Sequence, residues 1–504
     1  MIARVVAFAL DGVEARRVWV EADIRLGLPG FAVVGLADKA VREARERVQA
    51  ALVNSGFAFP AKRITVNLAP ASLRKAGPGF DLPLALALLV ASEQLDPDAL
   101  RACAVVGELS LTGEVRSVRG VLACAEGARR HGLERIVVPW TRAREAALVP
   151  GVDVLGVGSL QEAVDILAGR AEPRETPASQ DDGDDGIAAP DLADVRGHNA
   201  LVPALEVAAA GGHNLLFHGP PGTGKTMLAR RLPSILPPLT AEEALEVTRI
   251  HSVAGLHHGG LAAQRPFRAP HHSISSAGLV GGGSPPAPGE ATLAHHGVLF
   301  LDELSEFVRS SLEALRQPLE DGHVVVVRGQ RAVTFPTACT LVAATNPCPC
   351  GRSAEACRCS AADLARHQRR LSGPLLDRID LLVPVARPDA RALRDEEAPR
   401  SAAVRERVIA ARERQRHRLR GERVSCNARM SARQLRELAH ATPGALRLLF
   451  ELHDRQALSA RGHARVLRVA RTLADLDGAE RIGADHVHAA AGLRLDTPES
   501  AVAA

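Results

Sequence analysis

Gly219-Pro220-Pro221-Gly222-Thr223-Gly224-Lys225-Thr226 is a complete G-x-x-x-x-G-K-T run, and its residue types suit one task, the cradling of phosphate. Glycines let the backbone curl until successive N–H groups point inward at phosphate oxygens, and a helix that follows adds its N-terminal dipole. Lys225 would neutralise the β- and γ-phosphates, and the Thr226 hydroxyl would take a place on Mg²⁺. The apolar run Asn214-Leu215-Leu216-Phe217 comes just before, and a helical pattern from Met227 to Leu232 just after. That strand–loop–helix context separates a phosphate loop from an ordinary glycine-rich turn. The chain is read as binding a nucleoside triphosphate.

Hydrolysis needs further parts, and three apolar runs can carry them. Gly297-Val298-Leu299-Phe300-Leu301-Asp302-Glu303 reads as a buried strand ending in two carboxylates. At the carboxyl edge of a parallel sheet, Asp302 would hold Mg²⁺ through water and Glu303 would polarise the attacking water. Alone, the same letters fit a core strand capped by two solvated acids. Thr340 to Asn346 reads as a third strand whose terminal amide, Asn346, would orient the water near the γ-phosphate; the alternative is a turn-forming Asn before Pro347. In Leu375-Leu376-Asp377-Arg378-Ile379-Asp380, Arg378 suits an arginine finger that reaches a neighbouring subunit's site. A local ion pair with Asp377 or Asp380 is the other reading.

At 504 residues the chain exceeds what one core can hold. Its 46% apolar and 24% charged residues are ordinary for a folded protein. A net charge of +4, from 62 Lys+Arg against 58 Asp+Glu, neither demands nor excludes nucleic acid. Tyrosine is absent and aromatics make up 3%, which disfavours recognition by base-stacking platforms. Acidic residues arrive at Asp11 and Glu14, too early for a secretory signal, and the longest apolar run, Leu82 to Ser92, is about half a membrane span. A cytoplasmic protein without membrane contact is expected, so its eight cysteines point away from disulfides.

Three blocks and a linker position these residues. Residues 1–170 mix short β-like runs (Val18–Val20, Ile64–Leu68, Ile136–Val138) with helical patterns such as Asp38–Leu52. Residues 171–190 are polar and acidic without apolar period, and are read as a solvated linker, with an acidic regulatory patch as the alternative. Residues 191–388 hold the phosphate loop in an α/β block. Residues 389–504 are rich in Ala, Leu and Arg at helical spacing and are read as a helical lid.

Cys348, Cys350, Cys357 and Cys359 give C-x-C-x₆-C-x-C immediately after Asn346. Two close pairs from one loop can surround a tetrahedral, structural Zn²⁺. C-x-C is tighter than the usual zinc spacing, and free thiols or a redox pair are the alternatives. The pairs His271-His272 and His295-His296 are read as hydrogen-bonded packing before metal ligands, since adjacent side chains diverge.

The order of these parts resembles the AAA+ ATPases. The wording around Arg265-Pro266-Phe267-Arg268-Ala269-Pro270-His271-His272-Ser273, Gly289-Glu290 and Ala294 to Leu304 is similar to the magnesium-chelatase-like branch, and along essentially the whole chain to the YifB/ComM family. The resemblance implies ATP with Mg²⁺, a hexameric ring, an insertion at about 245–290 and a β-hairpin at about 320–335, turning at Arg328-Gly329-Gln330-Arg331, both facing a central pore. It also implies a lid arginine on the phosphates. Arg465 is the choice, with Arg461 and Arg468 close behind; a solvated Arg-rich helix face explains the same letters.

Val66 to Pro70, Lys75 to Pro83 and Gly107 to Gly113 look like the Lon-protease fold. Aligned so, Gly79 takes the place of the nucleophilic Ser and the Lys position falls near Leu122, with Ser72 and Lys75 only nearby. A Ser–Lys dyad needs hydroxyl and base within hydrogen-bond reach, so an inactive scaffold is expected. The family resemblance points to DNA translocation and branch migration in natural transformation. Arg265 and Arg268, Arg328 and Arg331, and the basic stretch Arg405–Arg423 would hold phosphates of single-stranded or branched DNA without reading sequence; for each, a solubilising surface charge is the alternative. The other engine considered is a chelatase-type motor acting on a protein partner. Chelatase motors are taken to lack the Lon-like front block, which argues against it.

Overall fold

Arg63–Ala69 buries Ile64, Val66 and Leu68 and turns the residues between them outward, the period-two signature of a strand with one covered face. In the computed structural model it lies in a seven-stranded sheet that runs, edge to edge, Gly30–Val34, Arg63–Ala69, Glu14–Arg25, Ile2–Asp11, Cys103–Val105, Arg135–Pro139 and Asp153–Val157. Ile2–Asp11, Glu14–Arg25 and Arg63–Ala69 pair antiparallel, and the remaining ladders are parallel. The structure describes residues 2–36, 38, 41, 43–175, 190–256, 259–328, 331–352, 357–370, 373–395, 398–422, 424–454 and 460–495. Most of the acidic stretch, the hairpin tip Gly329-Gln330, Ser459 and Arg423 lie outside the described residues, as do the side chains of Arg328 and Arg331.

The longest apolar run becomes the helix Asp81–Ala91, buried at every position. A helix apolar all round needs cover on all sides, and here the cover is protein. Among the described residues no helix is long and apolar enough to cross a membrane.

The middle block carries a second sheet of five parallel strands, in the order Phe267–Arg268, Val298–Leu301, Thr340–Thr345, Leu215–His218 and Leu381–Pro384. Its strands are near-continuous apolar runs because helices cover both faces. Residues 245–290 are therefore only partly an insertion: helix Ala241–Ala254 and edge strand Phe267–Arg268 belong to the core itself. The hairpin is a separate two-stranded ribbon, His323–Arg328 against Arg331–Pro336, closing on the pair Arg328↔Arg331. Beyond it the chain is helical, with Ser401–Arg418, Ala432–Leu438, Pro443–Asp454, Ala460–Leu476 and Ala484–Leu495 packed behind the sheet.

The first block docks on the second through apolar and polar contacts. Val13, at the turn of the first hairpin, joins the core cluster of Leu216, Ile250 and Phe335. Its neighbour Gly12, at φ +68°, packs so closely on Val333 that a Cβ would stand 2.7 Å from Cγ1. Glu145 accepts from the Leu122 N–H at 2.9 Å and from the Ser252 hydroxyl, and Arg249 pairs with Glu126 at 3.1 Å.

Candidate nucleotide site

The strand Leu215–His218 ends at the loop, and helix Lys225–Ile235 begins at its last two residues. Gly224 stands at φ +88° and Gly222 at +73°, left-handed turns that glycine adopts without penalty. Gly219 is needed for a different reason: a Cβ there would lie 2.1 Å from the Val385 carbonyl oxygen. Lys225 is largely buried and donates to the carbonyls of Gly219 (2.6 Å) and Pro220 (2.7 Å) and to Asn346 Oδ1 (3.1 Å). Burial pulls its ammonium below the ordinary lysine range, while Asp302 and Glu303 oppose that shift. Thr223 donates to Pro220 O at 2.9 Å, tightening the turn.

Thr226 Oγ1 donates to Asp302 Oδ2 at 2.7 Å. A hydroxyl and a carboxylate held together beside a phosphate cradle are the hard oxygen donors that Mg²⁺ takes. Glu303 follows at φ +51°, a conformation that costs a non-glycine residue about 1–3 kcal/mol. Its carboxylate is exposed and lies 3.6 Å from His272 Nδ1. His272 rests on His271, with ring centres 4.0 Å apart, and meets Phe307 edge-on. Thus Lys225, Thr226, Asp302, Glu303 and Asn346 converge at the carboxyl edge of one sheet. His272 is the addition that sequence reading missed: it was read with His271 as packing, four residues past the strand Phe267–Arg268. His198, buried against the loop, would stand 3.1 Å from a Cβ at Gly224.

Arg378 and Arg465 sit elsewhere. The Asn214 amide donates to the Arg378 carbonyl at 2.8 Å, ahead of the strand that ends in the phosphate loop. Four strand residues, about 13 Å, separate the two edges. Arg378 pairs with Glu320. Arg465 lies 3.6 Å from Asp377, and Arg461 3.2 Å from the same carboxylate, so Arg465 stands with Arg378 and away from Lys225 of its own chain. These arginines, with Arg429 and Arg468, line a cleft of about 720 Å³. Arg465 is 5% exposed, and its Nη1 has no hydrogen-bond partner among the described residues.

The basic residues expected to line a pore are largely engaged within the fold. Arg265 donates to the carbonyls of Pro237 and His296 and pairs with Glu243 at 2.8 Å; Arg268 forms a two-pronged pair with Glu290 at 2.6 and 2.9 Å. On the helix Ser401–Arg418, Arg407 pairs with Glu206, Arg412 donates to Ala209 O, and Arg418 pairs with Asp475. Their partners lie far away in sequence, which is why charge counting missed them.

Cys348, Cys350, Cys357 and Cys359 bring their sulfurs within 4.8 Å of one another. Burial pushes the Cys348 thiol up to about 12, whereas backbone N–H groups of Arg352 and Arg358 bring Cys350 down to about 6. Glu246, His295 and His296 also converge, but His295 Nδ1 accepts from the Ala338 N–H at 2.9 Å. Its Nε2 must then carry the proton that it gives Glu246 at 3.2 Å, which suits packing and leaves no lone pair for a metal.

In the first block, Gly79 faces Val106 and Val118, and Leu122 is buried. Lys75 is buried too, its ammonium donating to the Pro70 carbonyl, while Ser72 is exposed.

A phosphate loop on a parallel five-stranded sheet, followed by a helical domain, is the arrangement of an AAA+ protein, and the family-model matches give its branch as the magnesium-chelatase-like one. Residues 191–393 match the family model described as magnesium chelatase, subunit ChlI; 398–494 match its C-terminal model, and 20–142 a model described as subunit ChlI of Mg-chelatase. The chain is 44% identical over 487 residues to YifB of Salmonella typhimurium, covering 96% of this chain and 95% of that one. It is 42% identical over 503 residues to the competence protein ComM of Haemophilus influenzae, covering 98% and 97%. The chain belongs to the YifB/ComM family. A local likeness, 29% over 89 residues, links 18% of the chain to 14% of an archaeal Lon protease from Methanocaldococcus jannaschii.

Proposed function

We propose that the chain is an ATPase whose ring, a hexamer in the cytoplasm, moves along single-stranded or branched DNA and migrates branches during recombination. The convergence of Lys225, Thr226, Asp302, Glu303 and Asn346 at one sheet edge carries the first half of this reading. Lys225 and the loop N–H groups bind the triphosphate, Thr226 and Asp302 hold Mg²⁺, Glu303 takes the proton of the attacking water, and Asn346 orients that water. Bound Mg²⁺ supplies charge neutralisation.

Arg378 and Arg465 act on a neighbour's nucleotide. An arginine nitrogen left without a partner in a buried cleft is costly, and a phosphate presented by the next subunit would satisfy it. The DNA half is supported by the likeness to a competence protein and by the hairpin ribbon, which stands apart from the core sheet with Val327 63% exposed. With Arg265 and Arg268 committed internally, the hairpin is left as the leading basic candidate for DNA.

The four cysteines hold a structural Zn²⁺, and the front block, without hydroxyl or ammonium at positions 79 and 122, does no proteolysis. A chelatase-type motor remains the second reading. The family model that spans 20–142 bears a chelatase subunit's description, so the front block does not separate the two. ATPase turnover with and without a four-way DNA junction, together with junction unwinding, does so. Absence of both stimulation and unwinding would sink the branch-migration reading.

A further inference from the structure

The cysteine loop starts two residues after Asn346 and returns to it. Cys348 and Cys350 leave the strand end, Cys357 and Cys359 lead into the helix Ala361–Arg370, and Ser360 caps that helix by accepting from the Asp363 N–H at 3.2 Å. From the helix's far turn, His367, 4% exposed, reaches back with Nε2 to the Asn346 carbonyl at 3.0 Å. Gly351, next after Cys350, packs on Pro221 of the phosphate loop: a Cβ there would stand 3.0 Å from the proline ring. The circuit therefore touches both the backbone of Asn346, whose side chain meets Lys225, and Pro221 of the phosphate cradle.

Two of the sulfur separations match a tetrahedral site, and a third is shorter. Zn–S bonds of about 2.3 Å place ligand sulfurs about 3.8 Å apart. Cys350–Cys357 measures 3.8 Å, Cys348–Cys357 3.7 Å and Cys348–Cys350 3.2 Å. All are far beyond the roughly 2.05 Å of a disulfide, and all four cysteines are free.

We infer that this zinc-loaded loop is a positioning device for hydrolysis: it fixes Asn346 against Lys225 and roofs the phosphate loop, so that metal loading sets turnover while leaving nucleotide binding in place. The inference rests on the zinc reading above. It assigns His367 a role as well, as the strut that carries the loop's rigidity back to Asn346. Without the metal, Cys348 and Cys350 at the strand end are not tied to Cys357 and Cys359 at the helix start, and the His367 contact is left to hold Asn346.

The test uses the full chain. Zinc content by atomic emission, affinity for a fluorescent ATP analogue and DNA-free ATPase turnover are measured for wild type, Cys350→Ser, Cys357→Ser and His367→Ala. About one zinc per chain is expected in the wild type and a small fraction of that in the cysteine variants. Turnover should fall about 10–100-fold in all three variants, with analogue affinity within about threefold. His367→Ala should keep its zinc, so it reports on the strut even where a cysteine variant fails to fold. Zinc lost with turnover intact overturns the coupling and leaves the metal site standing. A wild-type protein without zinc overturns the metal reading and the coupling together, and unaltered turnover in His367→Ala removes the strut.

Discussion

Lys225 donates to Asn346 Oδ1 across 3.1 Å, joining residues 121 positions apart at neighbouring strand ends. One ammonium thus ties the phosphate loop to the residue that would sense the γ-phosphate. Lys225→Ala should abolish analogue binding, losing at least ~100-fold in affinity, as expected for a buried charge-assisted contact. Fluorescence titration checks this, and near-normal affinity would remove Lys225 from the site.

Glu303→Gln should bind ATP as tightly as the wild type and hydrolyse it about 10²–10⁴-fold more slowly, the range for a lost general base. Single-turnover phosphate release reads the chemistry directly. His272→Ala should lower turnover by a smaller factor, about tenfold, because its imidazole lies 3.6 Å from the Glu303 carboxylate and acts through that residue's position. An equal loss in both variants would make His272 part of the chemistry itself.

Arg378→Ala and Arg465→Ala homo-oligomers should each lose turnover by about 10³-fold. Mixing Arg378→Ala with Glu303→Gln subunits should restore part of it, since some interfaces then combine an intact glutamate with an intact arginine. Mixed assemblies no more active than either parent would place Arg378 in its own chain's site.

Asp475 is 1% exposed and ties Arg418 at 2.6 Å and Arg471 at 3.1 Å, while Asn427 donates to it at 2.8 Å. Asp475→Ala leaves two buried guanidinium groups uncompensated and should cost about 3–5 kcal/mol. Thermal melting followed by the far-UV helical signal measures it, and a shift of under a degree would show the network to be dispensable.

His218, His251 and His295 are all held below the usual histidine range, in each case mainly by burial. Their folded forms bind fewer protons than the unfolded chain near pH 6, so stability rises with pH there. The contribution is complete above the unfolded value of 6.5 and drains as pH falls through the depressed folded values. Chemical denaturation between pH 5 and 7.5 should show it, and His295→Gln should flatten the slope by up to ~1.4 kcal/mol per pH unit.

The phosphate loop was legible because strand, loop and helix are contiguous; so was the hairpin, whose turn is local. Arg265 and Arg268 were read as holding DNA phosphates because Glu243 and Glu290 reach them only through the fold. Arg465 could be placed on its helix, but which edge of the sheet that helix meets is decided by lid packing. His272 and His367 act through contacts 31 and 21 residues away in sequence, where no local pattern marks them.

Gly12 and Val13 close over Val333 and the Phe335 cluster at the root of the hairpin. The front block is therefore a stopper seated in the motor's own hydrophobic interior. A truncation that begins near residue 190 would uncover that interior and should be sticky in solution, whatever its catalytic residues can do. Loss of activity in such a fragment would report an unplugged core, and says nothing about whether the front block ever meets DNA.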